Sequence, residues 1–529
     1  MRDVKQYYDK IPYFSDAFRD FSPVRLAAVM EFLKLKDFDL ENARVLEIGC
    51  SYGGNIFSFA LAFKHAHVVG IDISGAQIAK ANELKEQFNL TNIEFYERDI
   101  ASLSEADMKS LGEFDFIIAH GVFSWVSESI RKAMLEKIST LLSPHGVAQV
   151  SFNVLPGWSS LSIIREFMLF ASGDSVGDDA IKKCDKELSF LLDYFKFSLQ
   201  SLSGSDKKIA SQTQQLLASQ AEFTRKLIKS GKDFYISHEF LEPSNDPIYF
   251  SHFSKLLREA GLCYLLDASL VDAFITNVGI PRFDSHIRAN YKSKESREQL
   301  NDFMYNRSFR KAIIVRPQML GGASAGTPEW DISVKSDSLL SLHFAVKFDK
   351  KDDGYYSCGL RQNEAYAWLY EMFNEAYPAS LSFNQILSKF KADISQDEIK
   401  SIYLALLDVV ANAQPNMSVY PLKNIKYEAK KTRLKPRFKG YLEYFSKTQN
   451  PVIAMANELN ERISLGQLES SVALLFNGET IEQIAKNAKT IAAKMGQEID
   501  AYELVLNLSQ KLEAAYYFEE IKEGESATA

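Results

Sequence analysis

The residues best placed to do chemistry lie in one short stretch, Arg44-Val-Leu-Glu-Ile-Gly-Cys-Ser-Tyr-Gly-Gly-Asn55, and in the acids that follow it. Val45, Leu46 and Ile48 supply the continuous apolar run of a buried parallel strand. Glu47 stands two residues before Gly49, and glycines after a strand let the backbone approach a ligand that a Cβ would hold off. A second apolar run, Val68-Val-Gly-Ile71, ends in Asp72, where an acid can take ribose hydroxyls. A third, Ile93-Glu-Phe-Tyr96, leads to Asp99 and Ile100, which places an acid for an adenine amino group. The pattern asks for a cofactor that carries a nucleoside. It departs from the G-x-G-x-x-G of a dinucleotide site, because Cys50, Ser51 and Tyr52 separate Gly49 from Gly53-Gly54. Such a loop is built less tightly for pyrophosphate.

These residues need a sheet to hold them. A fourth apolar run, 114–119, ends at His120-Gly121, and Leu141-Leu-Ser-Pro-His-Gly146 breaks a helix before a fifth strand over 147–152. Helices over 26–35, 77–88 and 128–142 alternate with the strands, which predicts an α/β fold with a doubly wound, Rossmann-like parallel sheet. Further on, an amphipathic helix over 253–261 feeds a strand over 262–266, and 311–316 is expected as an antiparallel edge strand.

Taken as a set, E-x-G, acids ending strands two and three, and L-x-P-x-G before strand five resemble the class I S-adenosylmethionine-dependent methyltransferases. Five further stretches narrow the likeness: Tyr8-Asp-Lys-Ile-Pro-Tyr-Phe-Ser15, 119–126 with His120 and Trp125, 151–158 with Asn153 and Trp158, 238–250, and 302–310. Together they resemble bacterial methyltransferases with a methyltransferase regulatory domain, a group that includes outer-membrane-protein lysine methyltransferases. The likeness covers about residues 1–320. It implies S-adenosyl-L-methionine as cofactor, with Glu47, Gly49, Cys50, Gly53 and Asn55 around the methionine part. It further implies Asp72 on the ribose with Ile73 and Gln77 adjacent, Asp99 and Ile100 on the adenine, and His120 and Gly121 beside the methyl position. Ser51 departs from the middle glycine common in these enzymes.

The acceptor side is read with two meanings for each residue. His120 can be a base or a substrate ligand, or a packed ring near the cofactor. Tyr8 and Tyr13 either close over the cofactor from an N-terminal arm or simply pack that arm. Trp125 and Trp158 either wall an aliphatic or cationic side chain or fill core. Asn153-Val-Leu-Pro-Gly is similar to the N-P-P-aromatic motif of amine methyltransferases but follows strand five, so Asn153 is a turn and site-lining residue or an amine ligand. No H-E-x-x-H spacing supports a metal.

With 529 residues the chain exceeds one core. A net charge of -8 argues against nucleic acid as partner. Four cysteines without a C-x-x-C pair fit a reducing compartment, and no signal-peptide core or run of about 18 apolar residues is present, so cytoplasm is expected with no membrane span. The expected division is a core of 1–171 and 238–318, a helical insertion over 172–237 serving as lid or substrate platform, and a small-residue linker over 319–334. A winged-helix-like module over 335–422, a basic linker over 423–449 and a helical module over 450–529 complete it. Function is expected to be methyl transfer to protein side chains, lysine first. The alternatives are a small-molecule or carbohydrate N- or O-methyltransferase, in which the C-terminal modules only dimerise the chain, and a non-catalytic protein that senses the cofactor.

Overall fold

Seven strands form one sheet: β1 (Arg44–Ile48), β2 (His67–Asp72), β3 (Ile93–Glu97), β4 (Phe114–Ala119), β5 (Leu142–Asn153), β6 (Cys263–Asp267) and β7 (Phe309–Val315). The computed structural model describes residues 14–201, 204–231, 233–242, 244–273, 281–320, 334–390 and 394–522. Strand order is β3-β2-β1-β4-β5-β7-β6, with β1 to β5 paired in parallel. The order reverses between β1 and β4, the switch point where open α/β sheets leave a crevice at their carboxyl ends. Glu47, Asp72, Asp99 and His120 all lie in or just past those strand ends.

One strand sits elsewhere than the sequence suggested. β7 is not the edge; it runs antiparallel between β5 and β6, and β6 closes the sheet. Burial explains this, because Ala312, Ile313, Ile314 and Val315 are all fully buried and need cover from both neighbours. Arg310 pins the strand start: it bonds Asp302 and Glu298 on the helix Lys294–Met304 and lies over the Phe250 ring. The 302–310 stretch of the family likeness is thus an internal ion-pair cluster.

Two helical layers cover the sheet. On one face Met134, Leu135 and Ile138 join Phe253, Leu256 and Leu257 over β4 and β5. On the other, the helices Pro23–Phe32, Gly54–Ala62 and Gly75–Gln87 share a core with the C-terminal half. There Phe88 packs on Tyr441 and Tyr444 at centroid distances of 5.2 and 5.9 Å. Beyond β5, helices Ser159–Ser172, Gly177–Ser201, Gly204–Lys229 and Asp233–Glu239 bury Ile164, Met168, Cys184, Leu188 and Ile236 in a cluster of their own.

In the C-terminal half, strands His343–Ala345, Leu381–Ser382 and Asn416–Ser418 form a small sheet beside helices Ala367–Ala376, Phe383–Leu387 and Gln396–Asn412. The stretch 423–449, expected as a basic linker, carries strand Thr432–Leu434 and helix Lys439–Lys447. Three of its charges are used internally: Lys435 and Arg437 both pair with Glu458, and Arg433 with Glu519. Residues 450–466, expected as helix, are not helical; the helices begin at Gln467. Thr480 and Gln483 form a capping box at the start of helix Ile481–Lys494. Among the described residues no helix is long and apolar enough to cross a membrane.

Candidate active site

The loop after β1 turns twice through the left-handed region. Gly49 has φ +73° and Gly53 +80°, and a Cβ on Gly49 would sit 2.4 Å from Val122 Cγ2. Ser51, the departure from the family pattern, itself adopts φ +50° and donates its N–H to Asp72 Oδ2 at 2.9 Å. The Gly49 and Cys50 N–H groups both donate to Ile71 O, Gly53 N–H to Cys50 O, and Gly54 N–H to Ser15 Oγ. With these donors already engaged, the loop lacks the free N–H cradle that a pyrophosphate demands. That supports the reading taken from its spacing. The Cys50 thiol is buried towards Gly70, where an added Cβ would lie 2.8 Å from Sγ, and burial beside Asp72 and Glu47 pushes its pKa well up.

Glu47 is buried beneath this loop. One oxygen, Oε1, accepts from Asn55 Nδ2 at 3.0 Å, while Oε2 is buried without a protein partner. Burial pushes its pKa up to about 8; the Asn55 hydrogen bond opposes the shift and Asp72 adds to it. A buried carboxylate oxygen left bare is costly unless a cation or donor arrives. The ammonium of an amino-acid moiety fits that need.

Asp72 ends β2 with both oxygens committed to the backbone, Oδ2 to Ser51 N–H and Oδ1 to Ser74 N–H at 2.9 Å. A carboxylate oxygen has two lone pairs, so hydroxyls can still be accepted. Ile73 is partly exposed beside it, whereas the Gln77 side chain is buried in the following helix. Asp99 accepts from Ala101 N–H at 2.9 Å, capping the short turn that presents Ile100. Glu47, Gly49, Asp72 and Asp99 thus lie in or just past the carboxyl ends of β1 to β3, with Asn55 and Ile100 on the helices that follow.

At the end of β4, His120 is wedged between rings. It stacks on Phe21 at 4.0 Å and meets Phe18 edge-on at 4.2 Å. Its Nδ1 lies 2.9 Å from Ser151 Oγ, which also accepts the Gly121 N–H. Burial, with Lys311 nearby, lowers its pKa to about 3. A ring with so low a pKa is a weak base, so its surroundings favour the packed-ring reading of His120 over the general base. Asn153 ends β5; its N–H donates to Ser124 Oγ and its Nδ2 to Asn245 Oδ1. Trp125 is half-buried on the short turn 123–125, and Trp158 is buried at the start of the helix Ser159–Ser172. Tyr8 and Tyr13 lie outside the described residues.

Three residues escaped the sequence reading. Ser15 holds the loop through Gly54, Phe18 N–H donates to Asn55 Oδ1 at 3.0 Å, and Asn460 reaches the same amide from the C-terminal half. Ser15 had the signal of standing in the Tyr8–Ser15 stretch; Asn460 had none. Among the described residues no group of three or more His, Cys, Asp or Glu could hold a metal.

Sheet order, loop and terminal acids define a class I S-adenosylmethionine-dependent methyltransferase. Residues 39–157 match the family "Methyltransferase domain", and residues 232–316 match "Predicted methyltransferase regulatory domain". Protein RP028 of Rickettsia prowazekii is 33% identical over 247 residues, covering 46% of this chain and 91% of that one. Protein RP789 of the same organism is 31% identical over 307 residues, and the chain spans 52% of its length and 58% of its own. PKMT2 from Rickettsia typhi in complex with AdoHcy shares the fold, with a TM-score of 0.76, 23% identity and coverage of 96% of this chain and 99% of that one. The chain belongs to the methyltransferases that join a methyltransferase domain to a methyltransferase regulatory domain, and its cofactor is S-adenosylmethionine.

Proposed function

We propose that this chain methylates protein side chains, with the lysine ε-amine as first acceptor. The family likeness supports a protein acceptor. So does the four-helix insertion beyond β5, which adds more surface at the acceptor end than a small molecule requires, with Phe190 and Tyr194 exposed on it. The observation that carries the methyl-donor part of the reading is the bare Oε2 of Glu47 beside the Asp72 strand end.

Bound S-adenosylmethionine supplies an electrophilic methyl carbon that a lone pair displaces in line. The chain's own work is to position, and to exclude water. In this reading Glu47 accepts the ammonium, Asp72 the ribose hydroxyls, and Asp99 with Ile100 hold the adenine. An ammonium has no lone pair, so a lysine of ordinary pKa near 10.4 must enter neutral. His120 does not collect its proton; desolvation between His120, Trp158 and Asn153 favours the neutral amine, and the proton leaves to solvent.

The test is incubation of the full chain with methyl-labelled donor and a lysate of the source cell. Label in protein, recovered as methyl-lysine after hydrolysis, is expected. Label confined to small metabolites rejects the protein acceptor, and cofactor uptake with no transfer at all rejects catalysis.

A further inference from the structure

We infer that Asn460, in the C-terminal half, is a positioning residue of the cofactor site, aiming the Asn55 amide at Glu47. The inference rests on the proposed contact between Glu47 and the cofactor ammonium.

Asn460 is fully buried, at the tip of a turn in which Asn457 Oδ1 accepts the Leu459 and Glu461 N–H groups. Its φ of +59° thrusts the side chain out of that turn. Asn460 Nδ2 donates to Asn55 O at 2.7 Å and to Asn55 Oδ1 at 2.9 Å, and its Oδ1 accepts from Ser58. Three of its polar contacts therefore fall on one helix, Gly54–Ala62, at the end that faces the cofactor loop.

The consequence lies one bond further on. An amide side chain has one accepting and one donating end. Two donors, Phe18 N–H and Asn460 Nδ2, converge on Asn55 Oδ1, so Nδ2 must face Glu47 Oε1. That hydrogen bond favours the carboxylate against burial and the Asp72 charge, and leaves Oε2 bare for a cation. Cys50 remains a thiol, Asp20 pairs with Lys311, and Arg462 on the C-terminal side is engaged with Asp16 at 3.1 Å. The same C-terminal segment also holds Ser15, whose N–H donates to Val452 O and whose carbonyl accepts the Ala454 N–H. The C-terminal half thus completes the cofactor site from outside the catalytic domain.

The experiment measures AdoHcy affinity of the full chain by calorimetry between pH 6 and 9, for wild type, Asn460→Asp and Asn460→Gly. Aspartate keeps the shape but presents oxygens to the Asn55 oxygens; glycine removes the amide and suits the left-handed turn. Wild-type affinity is expected to rise with pH up to about 8, as Glu47 ionises. Both variants are expected to move that rise up by about one pH unit, which weakens binding roughly tenfold at pH 7; Asn460→Asp also lowers the thermal midpoint, as a buried charge facing oxygens must, so Asn460→Gly carries the comparison. A variant profile identical to wild type overturns the inference. So does an equal loss at every pH, which makes Asn460 a packing residue only. A wild type that takes up no AdoHcy overturns the functional reading itself, before any variant is compared.

Discussion

At the β1–β3 end of the crevice, each committed side chain has a partner that aims it. Asp72 takes the Ser51 and Ser74 N–H groups, Glu47 takes Asn55, and Asp99 caps its own turn. At the β4–β5 end aromatic packing joins the hydrogen bonds, His120 Nδ1 lying 2.9 Å from Ser151 Oγ. His120 lies between Phe18 and Phe21, and Asn153 is tied to Ser124 and Asn245. The first end is preorganised for one fixed ligand and carries its cost in advance. The second is a shaped, apolar surround that suits desolvating an amine more than moving its proton.

The sharpest way to break this contrast is Asp72→Ala. It removes the ribose acceptor and frees the loop N–H of Ser51 together, so AdoHcy affinity should fall by roughly a hundredfold or more. Calorimetry that finds the loss within threefold would place the ribose elsewhere. Next in size is Gly49→Ala, expected to cost about 2–3 kcal/mol in chemical denaturation, because the new Cβ meets Val122 in a left-handed backbone. Adding Val122→Ala should recover the steric part alone; full recovery would show that φ does not matter there.

On the opposite end, His120→Gln should slow methyl transfer by less than about tenfold, with no step lost from the rate profile near pH 6.5. A true general base would cost roughly 10²–10⁴. The smallest effect expected concerns stability of the cofactor-free chain. Glu47 binds its proton more tightly folded, near pH 8, than unfolded, near 4.5. Its stabilising contribution is therefore complete below about pH 4.5 and drains away as pH rises to about 8. Glu47→Gln should flatten the thermal midpoint over that window, and an unchanged slope would move the effect to another group.

Legibility followed the same division. The strand-end positions of Glu47, Asp72, Asp99 and His120 could be read because each stands in or just past an apolar run, where the strand is set by local pattern. The place of β7 could not, since its partners β5 and β6 compete for it only in three dimensions. The basic stretch read as a solvated linker because nothing in sequence shows that Lys435 and Arg437 share Glu458, which is some twenty residues away. The expected helix over 450–466 fails at Asn457, whose side chain captures two backbone donors and turns the chain. Asn460 lies 405 residues from Asn55, beyond any spacing argument.

The most direct measurement is titration of the full wild-type chain with AdoHcy at several pH values. One equivalent taken up, more tightly as pH rises towards 8, is the result that a bare, buried Glu47 oxygen requires. No uptake, or an affinity that stays flat or weakens over that range, contradicts it.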